Sequence, residues 1–130
     1  MIVVDASAVL EALLRTPAAS AVEKWLFDPS QTLHAPHLLD VEVAQVVRRY
    51  AANGEIDGER GRAVLADLAD LPVHRYPHDF LLRRVWELRG NLTAYDAVYV
   101  ALAEALDAPL LTRDKRLAAA PGHRARVELV

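Results

Sequence analysis

Four acidic residues stand where an ordinary fold has little use for a charge. Asp5 closes the opening run Met1-Ile2-Val3-Val4, and Asp114 follows Leu110-Leu111-Thr112-Arg113 near the other end of the chain. Both runs read as short strands buried on two faces, the mark of a parallel sheet, and ligands of such sheets gather beyond the carboxyl ends of the strands. Asp5 and Asp114 are therefore expected in one crevice. Glu42 interrupts Leu38-Leu39-Asp40-Val41-Glu42-Val43-Ala44-Gln45-Val46-Val47, where its neighbours at helical spacing are Leu38, Leu39, Gln45 and Val46. Asp96 lies in a stretch from Ala94 to Leu106 in which only Asp96 and Glu104 are neither apolar nor tyrosine. A helix apolar on every side is a buried one, and a buried carboxylate must be paired, hydrogen-bonded, protonated or bound to a cation. Four such acids converging make an all-oxygen site, suited to Mg²⁺ or Mn²⁺ rather than zinc.

Each acid also has an ordinary use. Asp5 can cap the helix that follows it, Asp96 can pair with one of the many arginines, and Asp114 can be a turn aspartate satisfied by its neighbours. Ser7 reads as a cap or as a hydroxyl orienting Asp5, and Asp40, about 200° around the helix from Glu42, belongs to solvent or structure. The histidines at 34, 37, 74, 78 and 123 show no zinc spacing and are expected at the surface or as caps. Tyr95, Tyr99 and Trp86 are assigned to the core or an interface.

The elements that would position these residues follow from periodicity and punctuation. Residues 1 to 5 read as a strand and Ala6 to Arg15 as a helix, stopped at Thr16-Pro17. A helix from about Pro17 to Asp28, a strand Thr32 to Ala35 and a helix from Pro36 to Asn53-Gly54 come next. Asp57 caps a helix ending near Asp70, a strand spans Pro72 to Tyr76, and one helix runs from Pro77 to Arg89. Thr93 caps a helix reaching Asp107, before strands at Pro109 to Thr112 and Arg126 to Leu129. Strands separated by helices imply parallel crossovers, so the expected fold is a three-layer α/β/α sandwich around a mainly parallel five-stranded sheet, with helix exceeding strand about twofold.

Composition sets the frame. The 130 residues, 53% of them hydrophobic and 25% charged, predict a single domain over 1–130 with no linker or repeat. No cysteine is present, and no secretory signal or membrane-length apolar run is visible, so a cytoplasmic protein is expected. The net charge of −3 does not exclude an RNA partner, because cations held by four carboxylates would cancel the site's sign. Thirteen of the fifteen basic residues are arginines, among them Arg48-Arg49, Arg83-Arg84 and the group Arg113, Lys115 and Arg116 around Asp114.

Taken together, the segments Ile2-Val3-Val4-Asp5-Ala6-Ser7-Ala8, Pro36-x-x-Leu39-x-x-Glu42-Val43, Leu92-Thr93-Ala94-Tyr95-Asp96-Ala97-Val98-Tyr99-Val100-Ala101-Leu102-Ala103 and Leu110-Leu111-Thr112-Arg113-Asp114-x-x-Leu117 closely resemble the PIN-domain family, and within it the small VapC-type toxins of bacterial toxin-antitoxin pairs. The resemblance spans the chain, although Asn53 to Leu71 carries no recognised motif. It implies that Asp5, Glu42, Asp96 and Asp114 bind magnesium or manganese and cleave RNA, with Ser7 and Thr112 in support. A homodimer and a co-encoded antitoxin are implied as well. The alternative within the family is a PIN-like domain that binds RNA or its antitoxin without cutting. Outside it, a phosphoacceptor domain would need adjacent acids after the first strand, and a phosphotransferase with Asp5 as nucleophile would prefer an aspartate where Ser7 stands.

Overall fold

A computed structural model describes all 130 residues. Its strands are β1 (Ile2–Val4), β2 (Leu33–Pro36), β3 (Val73–Tyr76), β4 (Leu110–Thr112) and β5 (Val127–Leu129), every pair parallel, in the order β3-β2-β1-β4-β5. The helices are α1 (Ala6–Leu13), α2 (Ala19–Leu26), α3 (Leu38–Ala52), α4 (Gly58–Asp70), α5 (Leu82–Glu87), α6 (Ala94–Leu106) and α7 (Lys115–Ala119). None is long and apolar enough to cross a membrane.

Alternation across the pleat sends neighbouring strand residues into opposite layers. Ile2 and Val4 of β1 join Leu111 of β4 in a core closed by α1 to α4, whereas Val3 and Leu110 pack against α6 and Leu117 of α7 on the other face. Every residue of α6 from Ala97 to Ala103 is buried, which explains why this helix carries no amphipathic period. Burial of each such Leu or Val contributes about 1.5–3 kcal/mol. The sheet thus has two dry faces, the α/β sandwich expected from the pattern.

Because β2 lies on one side of β1 and β4 on the other, the chain reverses direction across the sheet between β1 and β4. A crevice opens at such a reversal, beyond the carboxyl ends of the two strands. Val4 pairs with Leu111, and the Asp5 N–H donates to Leu111 O at 3.2 Å, so Asp5 comes to lie beside Thr112.

The boundaries differ from expectation in particular places. Residues Pro77 to Arg89 do not form one helix: a 3₁₀ turn at Asp79–Leu81 precedes the short α5. The helix α7 was not anticipated. It is five residues long and depends on Asp114, whose side chain accepts from the Arg116 and Leu117 N–H groups. Each strand is only three or four residues long, so helix outweighs strand by well over twofold. His34 is buried rather than at the surface, its ring hydrogen-bonded to the Tyr76 hydroxyl at 2.7 Å and the Thr32 hydroxyl at 2.8 Å and stacked on His74. Burial, together with the neighbouring His74, holds its pKa below the usual value. His78 does act as a cap, accepting the Leu38 N–H at 3.0 Å where α3 begins.

Two ion pairs tie helices to their surroundings. Asp40 is bound by Arg75 Nε at 2.8 Å, as befits a structural residue. Glu104, with a side chain only 3% exposed, receives Arg84 Nε at 2.7 Å, Arg84 Nη2 at 3.0 Å and the Arg124 N–H at 2.9 Å, linking α6 to α5 and to the segment before β5. Burial opposes its ionisation, but the Arg84 guanidinium and the Arg124 amide outweigh it and hold the carboxyl below the ordinary range.

Candidate active site

The crevice is built from Asp5 outward. Its side chain is buried at the end of β1 and caps α1: Oδ1 accepts the Ala8 N–H at 3.0 Å and the Ser7 hydroxyl at 2.7 Å, and Oδ2 accepts the Thr112 hydroxyl. The capping and site readings of Asp5 are therefore compatible. Thr112 in turn receives the Asp114 N–H at 3.0 Å, and Ser7 receives the Arg113 N–H at 2.9 Å. The two hydroxyls lash the β1–α1 junction to the β4–α7 junction across the topological switch. Even so, burial pushes the Asp5 carboxyl above its usual range, more than the Thr112 and Ser7 hydroxyls and the Ala8 amide pull it down, and the charge of Asp96 adds to the rise.

Glu42 approaches from α3, on its second turn, and Asp96 from the first turn of α6, where the Thr93 hydroxyl accepts the Asp96 N–H at 3.2 Å. Both are half-buried. The Glu42 carboxyl is raised by burial and by the charges of Asp5 and Asp96, against the Tyr99 hydroxyl that donates to Oε1 at 2.6 Å. Asp96 is raised by burial and then by Asp114, with Thr93 and Arg116 opposing. The charge of Asp114 thus bears on Asp96, that of Asp96 on Asp5, and those of Asp5 and Asp96 on Glu42. All four sequence-selected acids meet at one edge of the sheet, with Ser7 and Thr112 among them.

They do not form a finished coordination sphere. No three His, Asp or Glu side chains stand close enough to grip one ion as placed. Like charges in a partly dry site repel, and a half-buried carboxylate such as Asp96 can reorient. The chemistry of the donor set fits a hard divalent cation: every donor is oxygen, and like charge and burial together give the carboxylates an unmet demand for positive charge.

Beside Ser7 and Glu42 opens a groove of about 460 Å³, with Leu10, Val41, Arg49 and Tyr95 among its walls. It continues past Leu38 and Tyr95 to Leu82, Val85 and Trp86. Tyr95 and Trp86, 63% and 66% exposed, are not core residues. Tyr99 is buried as expected, but its hydroxyl contact with Glu42 was not foreseen. A signal for it existed, because Tyr99 falls three residues after Asp96 and so shares its helical face. Of the arginine pairs, Arg48-Arg49 is exposed, whereas Arg84 is consumed by Glu104.

Comparison with known proteins bears on the family and the fold. Residues 2–122 match the family model described as PIN domain. The chain is 50% identical over 129 residues to Ribonuclease VapC1 of Mycobacterium tuberculosis, covering 98% of this chain and 96% of that one. Among solved structures, it resembles VapBC2 from Rickettsia felis bound to a DNA fragment from their promoter, with a TM-score of 0.73, 16% identity, and 99% of this chain and 98% of that one covered. A toxin-antitoxin complex from Klebsiella pneumoniae aligns with a TM-score of 0.66 and 19% identity over 92% of this chain and 91% of that one.

Proposed function

The chain belongs to the PIN-domain family, among its VapC-type members, and on that footing we propose that it is a metal-dependent endoribonuclease, the toxin of a toxin-antitoxin pair, acting in the cytoplasm. The observation that carries the reading is the gathering of Asp5 and Asp114, held by the Ser7 and Thr112 hydroxyls at the switch between β1 and β4, beside Glu42 and Asp96 from α3 and α6. Likeness to a protein named as a ribonuclease supports the reaction class.

In this reading Asp5, Glu42 and Asp96 hold a first Mg²⁺ or Mn²⁺ ion, and Asp114 completes the site or orients the attacking water. Such an ion, when bound, lowers the pKa of water, polarises the phosphoryl oxygen and steadies the leaving group. Ser7 and Thr112 keep both Asp5 oxygens oriented, the role of hydrogen bonds behind a ligand. Thr112 also fixes the backbone at Asp114, so that one hydroxyl sets the relative position of two acids. Arg49 and Arg116 flank the crevice as partners for RNA phosphates.

Two protein partners are part of the proposal. An antitoxin can inhibit by placing Arg or Lys among the acids, an attraction that weakens as salt rises. A second copy of the chain can cover the exposed apolar row Phe80, Leu82, Trp86 and Tyr95. The deciding experiment incubates purified protein with RNA and Mn²⁺, with and without chelator, beside Asp96→Asn. Cleavage by the wild type alone, lost on chelation and restored by Mg²⁺ or Mn²⁺, is the expected result. Cleavage that survives exhaustive chelation refutes the mechanism, and binding of RNA without cleavage selects the silent alternative.

A further inference from the structure

We propose that Tyr99 is a positioning residue for this site, its buried hydroxyl holding the Glu42 carboxylate in the orientation that cation binding requires. The inference rests on the metal-dependent reading above and extends it to a residue outside the acidic set. Tyr99 is 2% exposed in the middle of α6, where a phenylalanine would satisfy packing alone. Its hydroxyl nevertheless lies 2.6 Å from Glu42 Oε1, a length typical of a strong O–H···O⁻ bond.

Glu42 depends on that donor. Asp5 receives two hydroxyls and a backbone amide, and Asp114 receives two amides, but Glu42 has Tyr99 alone. The helical neighbours of Glu42 are mostly apolar and offer nothing in exchange. Holding Oε1 leaves Oε2 free, which converts a mobile three-torsion side chain into a directed ligand. One phenol thereby joins α6 to α3. Spacing adds to the case: Asp96 and Tyr99, three apart on one helix face, deliver an acid and the anchor of another acid together.

The test measures Mn²⁺ affinity by calorimetry without RNA, and kcat and KM for RNA with saturating Mn²⁺, for wild type, Tyr99→Phe, Glu42→Gln and the double variant. Groups behind a metal ligand typically govern affinity by about 10–100-fold, so Tyr99→Phe should weaken Mn²⁺ binding about tenfold while KM for RNA is unchanged. In the Glu42→Gln background the same change should have no further effect. Leu102→Val, at an equally buried position of α6, should lower the melting temperature and leave Mn²⁺ affinity intact. Replacing Tyr99 by 4-aminophenylalanine, which keeps the ring and an N–H donor, should restore affinity. Wild-type affinity in Tyr99→Phe, an undiminished effect in the Glu42→Gln background, or failure of the amino analogue to rescue overturns the role of Tyr99 alone. Absence of Mn²⁺ binding by the wild type instead removes the metal-dependent reading, and this inference with it.

Discussion

Replacing Thr112 by valine keeps the shape of a fully buried side chain and removes one hydroxyl. That hydroxyl donates to Asp5 and accepts the Asp114 N–H, so its loss strikes two of the four acids. A hydrogen bond to a charged group contributes about 1.5–3 kcal/mol, and an N–H left unpaired costs about 1–3 kcal/mol. Asp5 keeps Ser7 and the Ala8 amide, and the Asp114 amide is only partly buried, so the combined loss at pH 8 is about 3 kcal/mol. For a chain of this length that lowers the melting temperature by about 10 °C. The loss must also depend on pH. The Asp5 carboxyl is raised in the folded protein, so its ionisation costs stability: the cost is absent below the ordinary value of 3.8, grows as pH rises through the folded pKa and is complete above it. The Thr112 hydroxyl offsets part of that cost and matters most at high pH. Below the ordinary value of 3.8, where a carboxyl raised in the folded protein is protonated, the loss should shrink towards about 1 kcal/mol, the share belonging to the Asp114 amide. Urea unfolding of wild type, Thr112→Val and Thr112→Ser in chelator at both pH values reads the difference. Thr112→Ser, which loses a methyl but keeps the hydroxyl, should cost about 1 kcal/mol equally at both. A Thr112→Val loss that is the same below pH 3.8 and at pH 8 would refute the claim that Thr112 supports a charged Asp5.

Asp96→Asn should abolish cleavage yet hold or raise the melting temperature without metal at pH 8, because burial and Asp114 both disfavour the Asp96 charge; a clear fall in melting temperature contradicts this. Arg84→Ala leaves the buried Glu104 carboxylate only the Arg124 N–H and the Arg124 guanidinium at 4.0 Å and should cost about 3 kcal/mol at pH 7, the low end for breaking such a pair because Arg84 is a quarter exposed and Arg124 remains. The Glu104 contribution is complete above the ordinary glutamate value of 4.5 and fades as pH falls through its lowered folded pKa, so wild type and variant should converge in acid, as denaturation at several pH values will show. On the proposed pairing of two copies, Trp86→Glu places a charge in the exposed apolar row and should leave the variant monomeric by sedimentation where the wild type sediments as a dimer; a wild-type monomer removes the pairing, and an unaltered dimer moves the interface elsewhere.

Much of the site was legible in the sequence because its placement follows from short-range rules. Two buried β-branched or leucine-rich runs, each followed by an aspartate, oblige a parallel sheet to present both acids at one edge, and β1 and β4 do so with Val4 opposite Leu111. A carboxylate on an otherwise apolar helix announces itself by composition, as Glu42 and Asp96 did. Helix caps are equally local: Thr93 and Asp57 act within three residues of themselves. What the tertiary structure alone decided depends on which helices pack together and how each is rotated about its axis. The hydroxyl of Tyr99 and the carboxylate of Glu42 are 57 residues apart in sequence, and Thr112 meets Asp5 across 107. Periodicity identifies a buried face without naming the partner it meets, which is why Tyr99 read only as core or interface and why His34, enclosed by Thr32, His74 and Tyr76, read as surface or cap. The spacing of the acids belongs to the same class. Sequence brings four charges to one edge of the sheet, but the separation at which they rest is settled by packing, hydrogen bonds and mutual repulsion among groups drawn from β1, α3, α6 and the β4–α7 turn.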